Sequence, residues 1–173
     1  DVSCDYNLDF SKWDGVLELK HSIDAIVHVA GLAHGKSISN EQMLAVNSVS
    51  VGKLLQVAQL FGINEFVLIS SIAVYGKSYG FNINESTLPE PFNIYGKSKL
   101  LAENAVLQWA SIDNGRSFLN LRLPLIIGPN PPGNLGRLLK SISSGSHVYL
   151  EGNKAEKSVV FASDVANFIS QWL

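Results

Sequence analysis

One cysteine, Cys4, stands among the 173 residues of this chain. A single thiol excludes an internal disulfide and leaves no cysteine cluster to hold zinc; we expect no metal site, and a reducing, cytoplasmic setting fits best. An excess of charge is missing too. Thirteen Lys and Arg stand against fifteen Asp and Glu, a net charge of −2 with both signs dispersed. That removes the electrostatic reason to expect a nucleic acid or a membrane surface as partner. No apolar run approaches the length of a membrane span, and no signal peptide is visible at the N-terminus. Internal repeats and low-complexity segments are also lacking. Gly128 to Gly133 has the Gly-x-x-x-x-Gly spacing of a phosphate loop, but Asn134-Leu135 follows where Lys-Ser/Thr is required, so that reading is rejected. What remains is a chain that is 46% hydrophobic and 16% charged, long enough for one domain with a sizeable core.

Its apolar segments alternate in kind. Asp24 to Gly31 is a continuous apolar run ending in glycine, which suits a strand buried on both faces. Ser39-Asn40-Glu41-Gln42 opens a long helix as a capping box, and Gly62 stops it after Phe61. Phe66 to Ser71 is a second buried strand. Residues 76–93 are rich in Gly, Asn, Ser and Pro and read as a loop. A helix over 94–112 follows, then a strand from Ser117 to Leu123 that Pro124 must end. Beyond a rigid turn at 128–133, Asn134 to Ser143 reads as a helix. His147 to Leu150 and Ser158 to Phe161 read as short extended pieces. Ser163 is expected to cap a last helix, Asp164 to Trp172. Near the N-terminus, Trp13-Asp14-Gly15 reads as a turn and Val16 to Leu19 as a short helical or extended piece. The order predicts an α/β domain: a three-layer, Rossmann-like parallel sheet with helices on both faces.

Tyr95 and Lys99 stand four apart at the start of the 94–112 helix, on one face. A phenol with a pKa of about 10 is a poor base at neutral pH, but a cation held nearby favours the phenolate. The spacing can therefore make a proton-transfer group of a tyrosine. Tyr-x-x-x-Lys also arises by chance on ordinary helices, so its weight comes from its neighbours. In a parallel sheet the carboxyl ends of adjacent strands face one crevice. Gly31, Ser71 and Pro124 end three strands, and Tyr95 starts the helix after the second of them. Ser71 and Tyr95 can then flank one substrate oxygen.

With these residues in order, the chain resembles the extended short-chain dehydrogenase/reductases, the NAD-dependent sugar-nucleotide epimerases and dehydratases. The resemblance spans nearly the whole chain, through His28-Val29-Ala30-Gly31, Asn47, Ser70-Ser71-Ile72-Ala73-Val74-Tyr75-Gly76, Tyr95-Gly96-Lys97-Ser98-Lys99, Leu121-Arg122-Leu123-Pro124 and Phe161-Ala162-Ser163-Asp164. It implies that Ser71, Tyr95 and Lys99 are catalytic. It places Asp1, Val2, Val29, Ala30, Gly31, Asn47, Ser70, Tyr95, Lys99 and Pro124 along a nicotinamide cofactor, NAD or NADP. It implies a nucleotide-sugar substrate met by Ser71, Asn134 and Lys157, and a homodimer through the helices over 39–61 and 94–112. Residues 1–173 would form a partial NAD(P)-binding domain, with 76–94 and 128–160 contributing to the substrate region. The wording is most similar to UDP-hexose 4-epimerases. A nucleotide-keto-sugar reductase using NADP, or a cofactor-binding module without turnover, are the alternatives.

Two departures stand out. The family's Gly-x-x-Gly-x-x-Gly loop is absent, so the chain is expected to begin after the third strand of the sheet and to be incomplete at the N-terminus, with a pairing-prone edge strand. Lys157 stands where many epimerases have arginine, and a point charge cannot grip a diphosphate with a planar fork. Among the remaining polar and aromatic residues, His28 reads as a satisfied core histidine and Arg122 as structural. Tyr75 and Phe92 either line a sugar pocket or pack under the long loop.

Overall fold

The computed structural model describes residues 8–17, 19, 21–33, 37–129, 133–146 and 156–173. Asp1, Val2 and the extended piece expected at 147–150 lie outside them. The chain divides into two compact units, Asp1–Arg122 and Leu123–Leu173.

The first unit is built on three strands in the order β1-β2-β3: β1 (Ala25–His28), β2 (Glu65–Ser71) and β3 (Ser117–Leu123). β1 and β2 run parallel, with Ala25 opposite Glu65 and His28 opposite Leu68. Such a pair needs a crossover, and a long helix supplies it. It starts as α1 (Asn40–Leu44), passes through a π-helical turn (Ala45–Val49) and continues as α2 (Ser50–Phe61). The capping box forms as expected: Ser39 Oγ accepts from the Gln42 N–H at 3.2 Å, and Gln42 Oε1 accepts from the Ser39 N–H at 2.9 Å. Gly62 ends the helix at φ 70°, a left-handed conformation that glycine adopts without steric cost.

β2 leads into a 3-10 turn (Ile72–Tyr75), and α3 (Ile94–Ser111) carries the chain back to β3. Phe66 and Leu68, alternate residues of β2, share one core with Val51, Leu54, Leu55 and Ala58 of α2 and Ala102, Val106 and Trp109 of α3. The N-terminal segment closes this core with Trp13, whose Nε1 donates to the Val16 carbonyl at 2.9 Å. The turn at Trp13-Asp14-Gly15 is present, with Asp14 Oδ1 accepting from the Val16 N–H at 2.9 Å and Gly15 at φ 97°. No helix or strand forms over the described residues of 16–19.

The stretch Asn40–Phe61 is long and apolar enough to cross a membrane by length and composition, contrary to the expectation that no run would be. Its packing is that of a core helix. The apolar face lies on the sheet, and the π-helical turn buries Asn47 completely.

The second unit contains β4 (Leu125–Ile127), α4 (Gly133–Ser143), β5 (Val159–Phe161) and α5 (Ala162–Trp172), with β4 and β5 paired in parallel as a separate sheet. A strand immediately after Pro124 was not expected. Proline lacks the N–H that would continue the β3 ladder, so the chain leaves one sheet there and enters another. The last helix also differs from expectation. It starts at Ala162, its N-cap is Phe161 without a side-chain hydrogen bond, and Ser163 lies within the first turn instead of capping it. Both units have the parallel strands and helices of an α/β, Rossmann-like fold.

Candidate active site

The serine end of β2 and the first turn of α3 meet in the first unit. Ser71 is the last residue of β2 and caps the 3-10 turn, its Oγ accepting from the Ala73 N–H at 3.2 Å. Asn93 caps α3, its Oδ1 accepting from the Gly96 N–H at 2.8 Å. Gly96 then sets how closely the two elements approach. A β-carbon there would lie 2.5 Å from the Ala73 carbonyl oxygen and 2.9 Å from Pro91 Cβ. With glycine the first turn of α3 sits directly on the 3-10 turn, which brings the Tyr95 phenol close to the Ser71 hydroxyl. Gly76 is equally constrained. At φ 64°, a β-carbon would fall 1.8 Å from the Glu90 carbonyl oxygen.

The electrostatics differ from the simplest expectation. Burial raises the Tyr95 phenol above its ordinary pKa, and the nearby Ser71 hydroxyl opposes that rise. Lowering by Lys99, which the four-residue spacing predicts, is not what the structure shows. The reason is where the ammonium goes: Lys99 is buried, and its Nζ donates to the Ile69 carbonyl at 2.9 Å. Burial brings its pKa down to about 8.

Lys99 also reaches the end of β1. A β-carbon on Gly31 would stand 3.0 Å from Lys99 Nζ and 3.4 Å from Asn47 Oδ1. Gly31, Asn47 and Lys99 therefore form one cradle, which a larger residue at 31 would fill. Asn47, held in the π-helical turn, ties this cradle together. Its Oδ1 accepts from the Leu32 N–H at 2.7 Å, and its Nδ2 donates to the Leu32 carbonyl at 2.8 Å and to Ser98 Oγ at 3.0 Å. Both amide hydrogens are thus engaged in fixing the loop after β1 to α3. Asn47 braces the cradle that the resemblance places along a cofactor.

His28 is buried as expected but is not satisfied, since its Nε2 has no hydrogen-bond partner. Burial, reinforced by the charge of Lys99, lowers its pKa to about 4, so it is neutral at physiological pH. Its ring packs edge-on against Phe10 at 5.6 Å. Tyr75 is buried beneath the 76–93 loop, donating to the Asn84 carbonyl at 3.0 Å, whereas Phe92 is exposed. Val29 is 67% exposed and Ala30 half-buried beside Gly31. Pro124, Asn134 and Lys157 belong to the second unit. There Pro124 separates β3 from β4, Asn134 falls in the first turn of α4, and Lys157 is exposed.

Sequence reasoning missed Glu103. It is 1% exposed and pairs with Arg122 at 2.7 Å. This pairing and a hydrogen bond from the Arg122 guanidinium to Tyr75 raise the arginine pKa still further. The available signal was its position four residues after Lys99, on the face that carries Tyr95. A charged residue on a helix is ordinarily read as solvated, and that reading hid it.

A parallel α/β fold that brings a strand-end serine close to the tyrosine of a Tyr-x-x-x-Lys helix, beside a glycine cradle, defines a class, the Rossmann-like α/β domains. Comparison with known proteins agrees. Residues 4–173 match the model of the NAD dependent epimerase/dehydratase family, and the chain belongs to that family. It is 31% identical over 125 residues to an N-acetyl-alpha-D-glucosaminyl-diphospho-ditrans,octacis-undecaprenol 4-epimerase of Escherichia coli O157:H7, covering 72% of this chain and 38% of that protein. It is 31% identical over 116 residues to a UDP-glucose 4-epimerase of Streptococcus mutans, covering 66% and 34%. Among solved structures it is similar to MoeE5 in complex with UDP-glucuronic acid and NAD, with a TM-score of 0.78 and 25% identity over 95% of this chain and 56% of that one. It is likewise similar to RMD from Pseudomonas aeruginosa complexed with NADPH, with a TM-score of 0.79 and 25% identity over 98% and 63%. The chain thus spans between a third and two fifths of the length of these two curated relatives.

Proposed function

We propose that the complete protein is an NAD-dependent sugar-nucleotide epimerase that inverts C4 of a UDP-hexose through a 4-keto intermediate. The approach of the Ser71 hydroxyl to the Tyr95 phenol, beside the Gly31 and Lys99 cradle, carries this reading. The cradle suits a nicotinamide cofactor, because the backbone at Gly31 is bare and Lys99 supplies a buried cationic donor there. When bound, that cofactor accepts hydride from C4 and returns it to the other face. The chain's own residues handle the proton. Tyr95 Oη takes it from the C4 hydroxyl and later gives it back, and Ser71 Oγ hydrogen-bonds the same oxygen. Lys99 donates to the cofactor ribose and places positive charge on the side of the site where the phenolate forms. Asn134 and Lys157 are assigned to the diphosphate.

The named 4-epimerases among the relatives act on sugars joined to a diphosphate, which supports both the position of the chemistry and the diphosphate contact. Tyr95→Phe in the complete protein is expected to lower turnover of UDP-glucose by a hundredfold or more, the usual scale of a lost acid–base group. Cofactor binding, followed by fluorescence titration, should be largely retained. Unchanged turnover would refute the assignment.

A second reading, an NADP-dependent keto-sugar reductase, is favoured by the likeness to a structure complexed with NADPH. Incubation with UDP-hexoses and with UDP-4-keto-hexoses, each with either cofactor, separates the two, since net oxidation of added NADPH by the keto-sugar marks a reductase. We further assign the protein to the cytoplasm as a homodimer, with Leu101 and Leu107 of α3 exposed for the contact. Light scattering that reports a monomer at micromolar concentration would contradict the dimer.

A further inference from the structure

Behind Ser71, a continuous set of polar contacts joins four parts of the first unit. Glu103 stands on α3 eight residues past Tyr95, with its carboxylate turned into the fold. Its Oε1 accepts from Ser70 Oγ at 2.5 Å, so it holds the residue next to Ser71. Arg122, from β3, donates Nε to both carboxylate oxygens at 3.1 Å and Nη2 to Oε2 at 2.7 Å. The other end of the guanidinium donates Nη1 to Tyr75 Oη at 3.0 Å and lies over the Tyr75 ring, 4.9 Å from its centroid. Tyr75 Oη in turn donates to the Asn84 carbonyl at 3.0 Å, inside the 76–93 loop. The strand end and Arg122 are thereby bonded to one carboxylate on α3, and the loop is linked to it through Arg122 and Tyr75.

Burying an ion pair is a poor way to gain stability, because the desolvation of both charges offsets much of their attraction. An apolar pair of similar volume would pack α3 on β3 as well. What an apolar pair lacks is direction, and here each polar atom fixes a different element at hydrogen-bond distance.

We propose that Glu103 is a positioning residue, which sets the serine end of β2 and the 76–93 loop in one geometry with Tyr95. Through Ser70 it aligns the Ser71 hydroxyl with the phenol. Through Arg122 and Tyr75 it anchors the loop that the nucleotide sugar is expected to meet. The inference rests on the function proposed above.

The two branches can be cut separately in the complete protein. Ser70→Ala cuts the strand branch and should lower kcat about tenfold, with a smaller change in KM. Tyr75→Phe cuts the loop branch and should raise KM for the nucleotide sugar about tenfold, with a smaller change in kcat. Glu103→Gln should do both. If the three variants lower thermal stability alone and leave kcat and KM at wild-type values, Glu103 is packing and the proposal falls. Should Glu103→Gln fail to fold, the two single-branch variants, which keep the shape of the side chains, decide the matter. Absence of turnover in the wild-type protein would count against the proposed function instead. In that event amide hydrogen exchange over 76–93 tests the anchor directly: faster exchange in Tyr75→Phe supports it, and unchanged exchange overturns it.

Discussion

Helices α2 and α3 lie against each other over the same sheet and bury opposite kinds of surface. α2 sinks Val51, Leu54, Leu55, Val57 and Ala58, with Ser50 as its one buried polar residue. α3 sinks Ser98, Lys99 and Glu103 among Gly96, Ala102, Val106 and Trp109. Apolar burial on α2 requires no partner of defined direction and contributes roughly 25 cal/mol for each Å² removed from water. Burial of Ser98, Lys99 and Glu103 is tolerated because each of these three has a partner at hydrogen-bond distance: Ser98 with Asn47, Lys99 with Ile69, Glu103 with Ser70 and Arg122. The difference separates support from chemistry. One helix packs an apolar face on the strands, and the other turns hydrogen-bonded polar groups toward Asn47, Ile69, Ser70 and Arg122.

Mutations can break or sharpen that contrast. Leu55→Ala on the apolar helix should lower the unfolding free energy by about 2–5 kcal/mol, since it leaves a cavity in the core. Urea denaturation gives the loss, and cofactor affinity per folded molecule should not change. A parallel fall in affinity would show that α2 does more than support.

The pH dependence of stability probes the polar side. His28 stands beside the Lys99 cradle with its pKa lowered from 6.5 to about 4. A depressed pKa means that below 6.5 the unfolded chain takes up a proton that the folded chain refuses, so stability falls as pH drops from about 6.5 to about 4 and levels off below. Between pH 7 and pH 5 the loss is about 2 kcal/mol, at 1.36 kcal/mol per pH unit. His28→Gln should remove that slope. Identical urea midpoints against pH in the two proteins would mean that burial does not hold the imidazole neutral. The smallest effect belongs to the exposed helix start: Ser39→Ala breaks the capping box and should cost about 1 kcal/mol, with turnover untouched. A larger loss would place the start of α1 among the elements that set the site.

Much of this was legible in the amino acids. The capping box at Ser39, the stop at Gly62 and the helix that presents Tyr95 and Lys99 together all follow from local rules, and local geometry obeyed them. Ser71 at the strand end was legible for the same reason. Other features were hidden because they depend on residues far apart in the chain. Nothing near Lys99 in sequence tells that its ammonium turns to Ile69, thirty residues earlier. Nothing near Glu103 tells that Arg122 waits nineteen residues on. The π-helical turn that brings Asn47 under Leu32 and Ser98 leaves no mark in the apolar periodicity, and the second sheet after Pro124 depends on where β5 returns.

The amino-acid order by itself determined the capped start at Ser39, the stop at Gly62, the strand end at Ser71 and the helix that carries Tyr95 and Lys99, because caps, glycine stops and helical spacing act over a few residues. Tertiary structure alone decided which charges are buried, where each points and hence whether the phenol is raised or lowered. Desolvation and hydrogen bonding are properties of a packed neighbourhood, and that neighbourhood exists only once distant segments have come together.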